Sequence, residues 1–145
     1  HALTLIVDPR SPISFLDKAT LNRLGYAPTP SDIEITFGRT REPVYTVSVR
    51  LALGDLVVDS LPMAVTRIEH VARAAGAGED PTIAGIIGSD MLERCRALLD
   101  LGYNRLFLKP PPLPAPSDST TREESFLEEL GRKLRRTEQR YNKRD

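Results

Sequence analysis

At 145 residues, the chain is long enough for one domain with a modest core and too short for two ordinary ones. Its composition, 40% hydrophobic and 28% charged, fits a globular protein, and a formal net charge of zero supplies no bulk steering toward nucleic acid or membrane. A single cysteine, Cys95, excludes an intramolecular disulfide and a cysteine cage for metal. With His1 and His70 the only histidines, no metal and no cofactor is expected.

The chain opens on His1 rather than Met and enters an apolar stretch at once, which reads as a processed product or an excised piece of something longer. No apolar run approaches the length needed to span a bilayer and no secretory pattern opens the sequence, so a soluble protein of undetermined compartment is expected. Leu3 to Val7 is an apolar run suited to a buried strand, and it stops at Asp8-Pro9-Arg10-Ser11-Pro12. Two prolines within four residues cannot continue a central strand, so a turn is predicted here. Ser14 to Leu24 has helical spacing in Phe15, Leu16, Ala19 and Leu24, with Ser14 as cap and Gly25 as stop. Pro28 and Pro30 mark a loop.

From Ile33 to Val65 the period is two. Ile33, Ile35 and Phe37 form one alternating run, Tyr45 to Leu53 a second, and Leu61, Met63 and Val65 a third. Residues Gly38 to Pro43 and Gly54-Asp55 punctuate them, so antiparallel hairpins are predicted. Thr66 to Ala75 is a helix candidate, followed by a loop from Gly76 to Pro81. Glycines inside Ile83-Ala84-Gly85-Ile86-Ile87-Gly88 suggest close backbone approach rather than a plain strand. Ser89 or Asp90 caps a short helix through Met91, Leu92 and Cys95. Ala97 to Leu101 and Arg105 to Leu108 read as strands joined by Gly102-Tyr103-Asn104.

Five prolines between Lys109 and Pro116 form a semi-rigid spacer. Thr120 with Glu123, and Thr121 with Glu124, offer overlapping capping boxes for a terminal helix. That helix carries Leu127, Leu130, Leu134 and Tyr141 at roughly heptad spacing, with acids first and bases last. Its basic end holds seven Lys/Arg between Arg132 and Arg144 against the single acid Glu138. Contact with RNA or anionic lipid competes there with a solvated or partner-binding face, and the scarcity of aromatics argues against base stacking, so nucleic acid is not an expected partner.

Two separated segments carry a family resemblance. Leu5-Ile6-Val7-Asp8, the turn, Ser11, Phe15-Leu16 and the stretch ending in Leu24-Gly25-Tyr26 resemble the opening of retropepsin-like aspartic proteases, of the retroviral and bacterial single-lobe kinds. Ala84-Gly85-Ile86-Ile87-Gly88-Ser89-Asp90-Met91-Leu92, followed by Ala97 to Asp100 and Arg105 to Leu108, is similar to the family's closing segment. The likeness spans roughly residues 2–109. It implies a mainly β acid-protease fold, a closed barrel or sandwich with two or three short helices, over 1–109. A proline-rich linker over 110–119 and a charged amphipathic helix over 120–145 complete the expected organisation. The family usually has a further strand and turn ahead of the strand that delivers its aspartate, and here the chain begins with the delivering strand.

The resemblance assigns Asp8 to the catalytic position and Pro9, Arg10 and Ser11 to the active-site turn. It assigns Gly38, Arg39 and Thr40 to the tip of a flap, for which a plain charged hairpin loop is the competing reading, and Ile86, Ile87 and Gly88 to the substrate groove. Such peptidases pair two carboxylates, one per lobe, that share a proton, so a single lobe must form a homodimer or pair with a second lobe. The expected Asp-Thr-Gly reads Asp8-Pro9-Arg10. Proline has neither the hydroxyl that locks the two turns together nor an N–H, and arginine fills the space that glycine leaves open. An arginine folded back on Asp8 opposes proton sharing. Against the catalytic assignment stands the simpler one, Asp before Pro as an ordinary turn residue.

Three functions compete: a catalytically impaired or inactive retropepsin-like lobe that dimerises or binds peptide by strand addition, an active aspartic endopeptidase using Asp8, and a structural or interaction domain of a larger assembly. Asp90 reads as a helix cap, Asp100 as solvent-facing, Cys95 as buried and inert, and His70 as having no triad partners.

Overall fold

The computed structural model describes residues 1–37, 39–68, 83–110 and 119–141. Among them are eight strands and three helices: β1 (Thr4–Val7), β2 (Phe15–Asp17), α1 (Lys18–Arg23), β3 (Thr29–Phe37), β4 (Thr40–Leu53), β5 (Leu56–Thr66), β6 (Ile83–Ile87), α2 (Ser89–Arg94), β7 (Leu98–Asp100), β8 (Arg105–Phe107) and α3 (Ser119–Tyr141). The fold is mainly β, as expected. Six strands form one sheet in the order β1-β6-β2-β5-β4-β3, and β7 and β8 form a separate hairpin.

The sheet is open rather than closed. β1 and β3 end the strand order, and among the described residues neither has an outer partner. Four-residue β1 is short, and β3 contains Pro30, which has no N–H to give a further ladder.

The predicted antiparallel hairpins are present, with longer strands than the alternation marked. β3 pairs antiparallel with β4 and β4 with β5. Residues 28–30 and 40–43, expected as loops, are largely strand: Pro30 lies opposite Tyr45, and Pro43 opposite Glu34. The register shifts between Pro30 and Glu34, which absorbs the mismatch around the edge proline.

The helix predicted over 14–24 divides. Phe15, Leu16 and Asp17 form a strand held on both sides, parallel to β5 and antiparallel to β6, and only Lys18–Arg23 is helical. A short apolar run buried on both faces cannot be told from a helix by spacing. Asp17, not Ser14, is the cap, and its Oδ2 accepts from the Thr20 N–H at 2.8 Å. Gly25 is the stop, with φ +82, and the Gly25 and Tyr26 N–H groups donate to the carbonyls of Asn22 and Leu21. β5 runs through Thr66, which removes that residue from the helix predicted over 66–75. Residues 69–75, including His70, and the loop at 76–81 lie outside the described residues, as does the proline spacer over 111–118.

Strand alternation sorts the core into two faces. Leu16, Met63, Val65 and Ile87 face one way, with Leu21 of α1 and Met91 and Cys95 of the α2 region against them. Phe15, Ala64 and Ile86 face the other way, together with Ile13, Val44 and Ile68. The second face is covered by α3, whose Leu130 and Leu134 are 2% and 7% exposed, with Phe126 and Leu127 partly buried beside them. Leu130 and Leu134 are thus core residues of this face, a packing that their heptad spacing did not specify. The capping boxes at Thr120 and Thr121 rest on side chains outside those described. Among the described residues no helix is long and apolar enough to cross a membrane.

Candidate functional site

The site begins where β1 ends. β1 runs parallel to β6, with Ile6 opposite Ile86 and Val7 opposite Ile87. The Asp8 N–H extends that ladder by donating to the Ile87 carbonyl at 3.0 Å. A tight turn follows, in which the Ser11 N–H donates to the Asp8 carbonyl at 3.0 Å. The Asp8 side chain organises it: its Oδ1 accepts from the Arg10 backbone N–H at 3.0 Å and from Arg10 Nε at 3.1 Å. Arg10 therefore does fold back on Asp8. The Arg10 side chain is 84% exposed and that of Asp8 18% exposed. An ion pair so open to water contributes about 0–1 kcal/mol.

The turn is fastened to the segment after β6. The Ser11 carbonyl accepts from the Ser89 N–H at 2.8 Å, and Ser11 Oγ donates to the Ile13 carbonyl at 2.7 Å. Ser14 joins the two segments: its hydroxyl accepts from the Gly88 N–H at 2.9 Å and donates to Asp90 Oδ1 at 2.6 Å. A side chain at Gly88 would place its Cβ 2.6 Å from the Ile13 carbonyl, and one at Gly85 would lie 2.5 Å from the Phe15 carbonyl oxygen. Close backbone approach, inferred from the glycines alone, is the geometry found at both positions.

This junction changes the assignment at α2. The cap is Gly88, which has no side chain to make a cap bond, and the first helical N–H, that of Ser89, donates to the Ser11 carbonyl. Asp90 sits in the first turn, where its charge suits the helix dipole and its carboxylate receives Ser14 and the Met91 N–H. The role of Ser14 was missed. The available signal was a serine among Ile13, Phe15 and Leu16, since a hydroxyl buried in an apolar run must find a partner.

The other predicted residues are distributed as follows. Pro9 is exposed on the turn. Phe37 pairs with Thr40, so Arg39 lies in the turn of the β3–β4 hairpin and Thr40 opens β4, both exposed, while Gly38 lies outside the described residues. The three groove candidates separate. Ile86 joins the face beneath α3, Ile87 turns to the opposite face with Met91, and Gly88 is buried under Ile13. Consecutive strand residues point to opposite faces, so Ile86 and Ile87 cannot line one groove together.

Cys95 is 1% exposed, and burial pushes its thiol pKa up against the smaller opposing effect of the Arg94 charge. That environment does not favour a nucleophilic thiolate. Asp100 is half-buried rather than fully open, and its Oδ1 holds the β7–β8 turn through the Gly102 and Tyr103 N–H groups. Among the described residues, no three His, Cys, Asp or Glu side chains are grouped to hold a metal ion.

No family model matches the sequence, and no curated protein matches it. Among solved structures, the chain is similar to the retroviral protease-like domain of Ddi1 from Leishmania major. The match has 20% sequence identity and a TM-score of 0.46, and it covers 73% of this chain and 78% of that one.

Ser14→Ala removes the hydroxyl that partners the buried Gly88 N–H, and is expected to lower stability by roughly 1–3 kcal/mol in urea unfolding, with Ser14→Thr recovering most of the loss.

Proposed function

We propose that the domain is a retropepsin-like aspartic-peptidase lobe with impaired or absent catalysis, which serves in dimerisation or peptide binding. The observation that carries this reading is the location of Asp8. It ends a strand paired with β6, in a turn fastened to the segment around Gly88, which is the juxtaposition that the two resembling motifs require.

The chemistry of the turn supports impairment. Proton sharing needs two carboxylates brought together across two lobes, with Asp8 the candidate here. Pro9 offers no hydroxyl to lock one turn to another, and Arg10 directs both its backbone N–H and its Nε at Asp8 Oδ1. In a homodimer, two guanidinium groups would crowd the axis.

Pairing is supported by the β7–β8 hairpin. It leaves Leu98, Leu101, Tyr103 and Phe107 open to solvent, at 50–77% exposure. Leu98 and Phe107 are cross-strand neighbours, so their apolar surfaces adjoin.

One observation favours the active alternative. Because Arg10 is largely exposed, its grip on Asp8 yields at small cost, and a partner lobe with the usual motif could supply what this turn lacks.

Incubated with unfolded casein at acid pH, the chain is expected to give no cleavage above background. Cleavage abolished by Asp8→Asn would establish the active alternative. In sedimentation at micromolar concentration the chain is expected to associate, and Leu101→Asp with Phe107→Asp to shift it toward monomer at least tenfold. A parent chain that stays monomeric would remove the dimerisation half of the reading.

A further inference from the structure

α3 covers a particular face. Ile6 stands two residues before Asp8, Ile13 and Phe15 follow the Asp8 turn, and Ile86 precedes Gly88 and pairs with Phe15. Val44, Ile33 and Ile35 come from the β3–β4 hairpin, whose turn carries Arg39. The face is therefore built from the segments that lead into the aspartate turn, the glycine segment and the flap candidate. Phe126, Leu127, Leu130 and Leu134 seat a single helical stripe on it, at the i, i+1, i+4 and i+8 positions.

We infer that α3 is a tethered occupant of the candidate peptide groove, an intramolecular ligand that must leave its seat before another chain can enter. Given the peptide-groove reading on which this rests, the occupancy sets the regulation of that site. It also names the class of competitor that fits there: an amphipathic helix with apolar residues at the same spacing.

Among the described side chains of α3 outside this stripe, Glu124, Glu128, Glu129, Arg132 and Arg135 are exposed. The spacer over 111–118 joins α3 to the domain covalently, so the helix returns to its seat at an effective concentration on the order of millimolar. A free helix at micromolar concentration cannot compete with it until the stripe is weakened.

The test titrates the full chain with a fluorescein-labelled synthetic peptide of residues 119–141, read by fluorescence anisotropy, alongside its Leu130→Ala and Leu127→Gln variants. The far-ultraviolet sheet signal is recorded for each. The parent is expected to take up the peptide weakly, and variants that keep the sheet signal to bind it at least tenfold more tightly. Affinities within twofold of the parent, in variants that keep the sheet, would overturn the inference. Loss of the sheet signal in both variants would overturn it too, because the helix would then be an integral part of the core.

Labelled unfolded casein as a second probe separates this inference from the reading beneath it. Uptake of the 119–141 peptide without uptake of casein would uphold α3 as a displaceable occupant and reject the peptide groove. Casein bound equally by the parent and the variants would uphold peptide binding and reject α3 as its gate.

Discussion

The structure depends on the close approach of two backbones: the stretch from Asp8 to Phe15 and the stretch from Ile83 to Gly88. Glycine at 85 and 88 permits it, since a Cβ at either position would meet a carbonyl of the opposing segment at 2.5–2.6 Å. Overpacking of that kind typically costs about 1–3 kcal/mol, before any hydrogen bonds are lost. Once the backbones are this close, each satisfies the other: Ile87 receives Asp8, Ser11 receives Ser89, and Ser14 bridges Gly88 to Asp90. The turn carrying Asp8 is thus fixed at the boundary of the two core faces rather than left as an exposed loop.

That fixation holds the Asp8-Pro9-Arg10 turn in its form. The bonds that hold it use the backbone of Asp8, Ser11 and Ser89, the hydroxyl of Ser14 and the Asp8 carboxylate on the Arg10 backbone N–H, and of the side chains at 9 and 10 only the exposed Arg10 Nε adds to them. Pro9 and Arg10 lie on its exposed side. On the retropepsin-like reading proposed above, scaffold and catalytic equipment are separable: the first is held by bonds between the two segments, whereas the departures from the family motif, Pro9 and Arg10, stand on the exposed side. The Arg10–Asp8 pair, worth about 0–1 kcal/mol in water, is a weak obstacle by itself. On the same proposed reading, the heavier consequence is that Pro9 has neither hydroxyl nor N–H, which no rotamer change restores.

Much of this was legible in the sequence, because it rested on short-range pattern. Leu3 to Val7 reads as a strand, the period of two from Ile33 to Val65 reads as hairpins, and glycines among β-branched residues read as close approach. What failed was governed by neighbours distant in sequence. Phe15 to Asp17 had helical spacing and became a strand because β5 and β6 flank it. Ser14 sits where a helix cap is expected, yet its partners Gly88 and Asp90 lie more than seventy residues away. The leucine spacing of the last helix was visible, but nothing local could say that it would fold back over Ile86 and Phe15. The resemblance located Ile86 and Ile87 together, and the pleat separates them.

The most direct measurement of the central claim is amide hydrogen exchange at Asp8, Gly88 and Ser89 in the folded chain. Each donates across the junction, so each is expected to exchange only through global opening, as slowly as the amides in the middle of β5. Exchange at the rate of an exposed loop, while β5 stays protected, would mean that the two segments are not locked together and that the Asp8 turn has no fixed place in the fold.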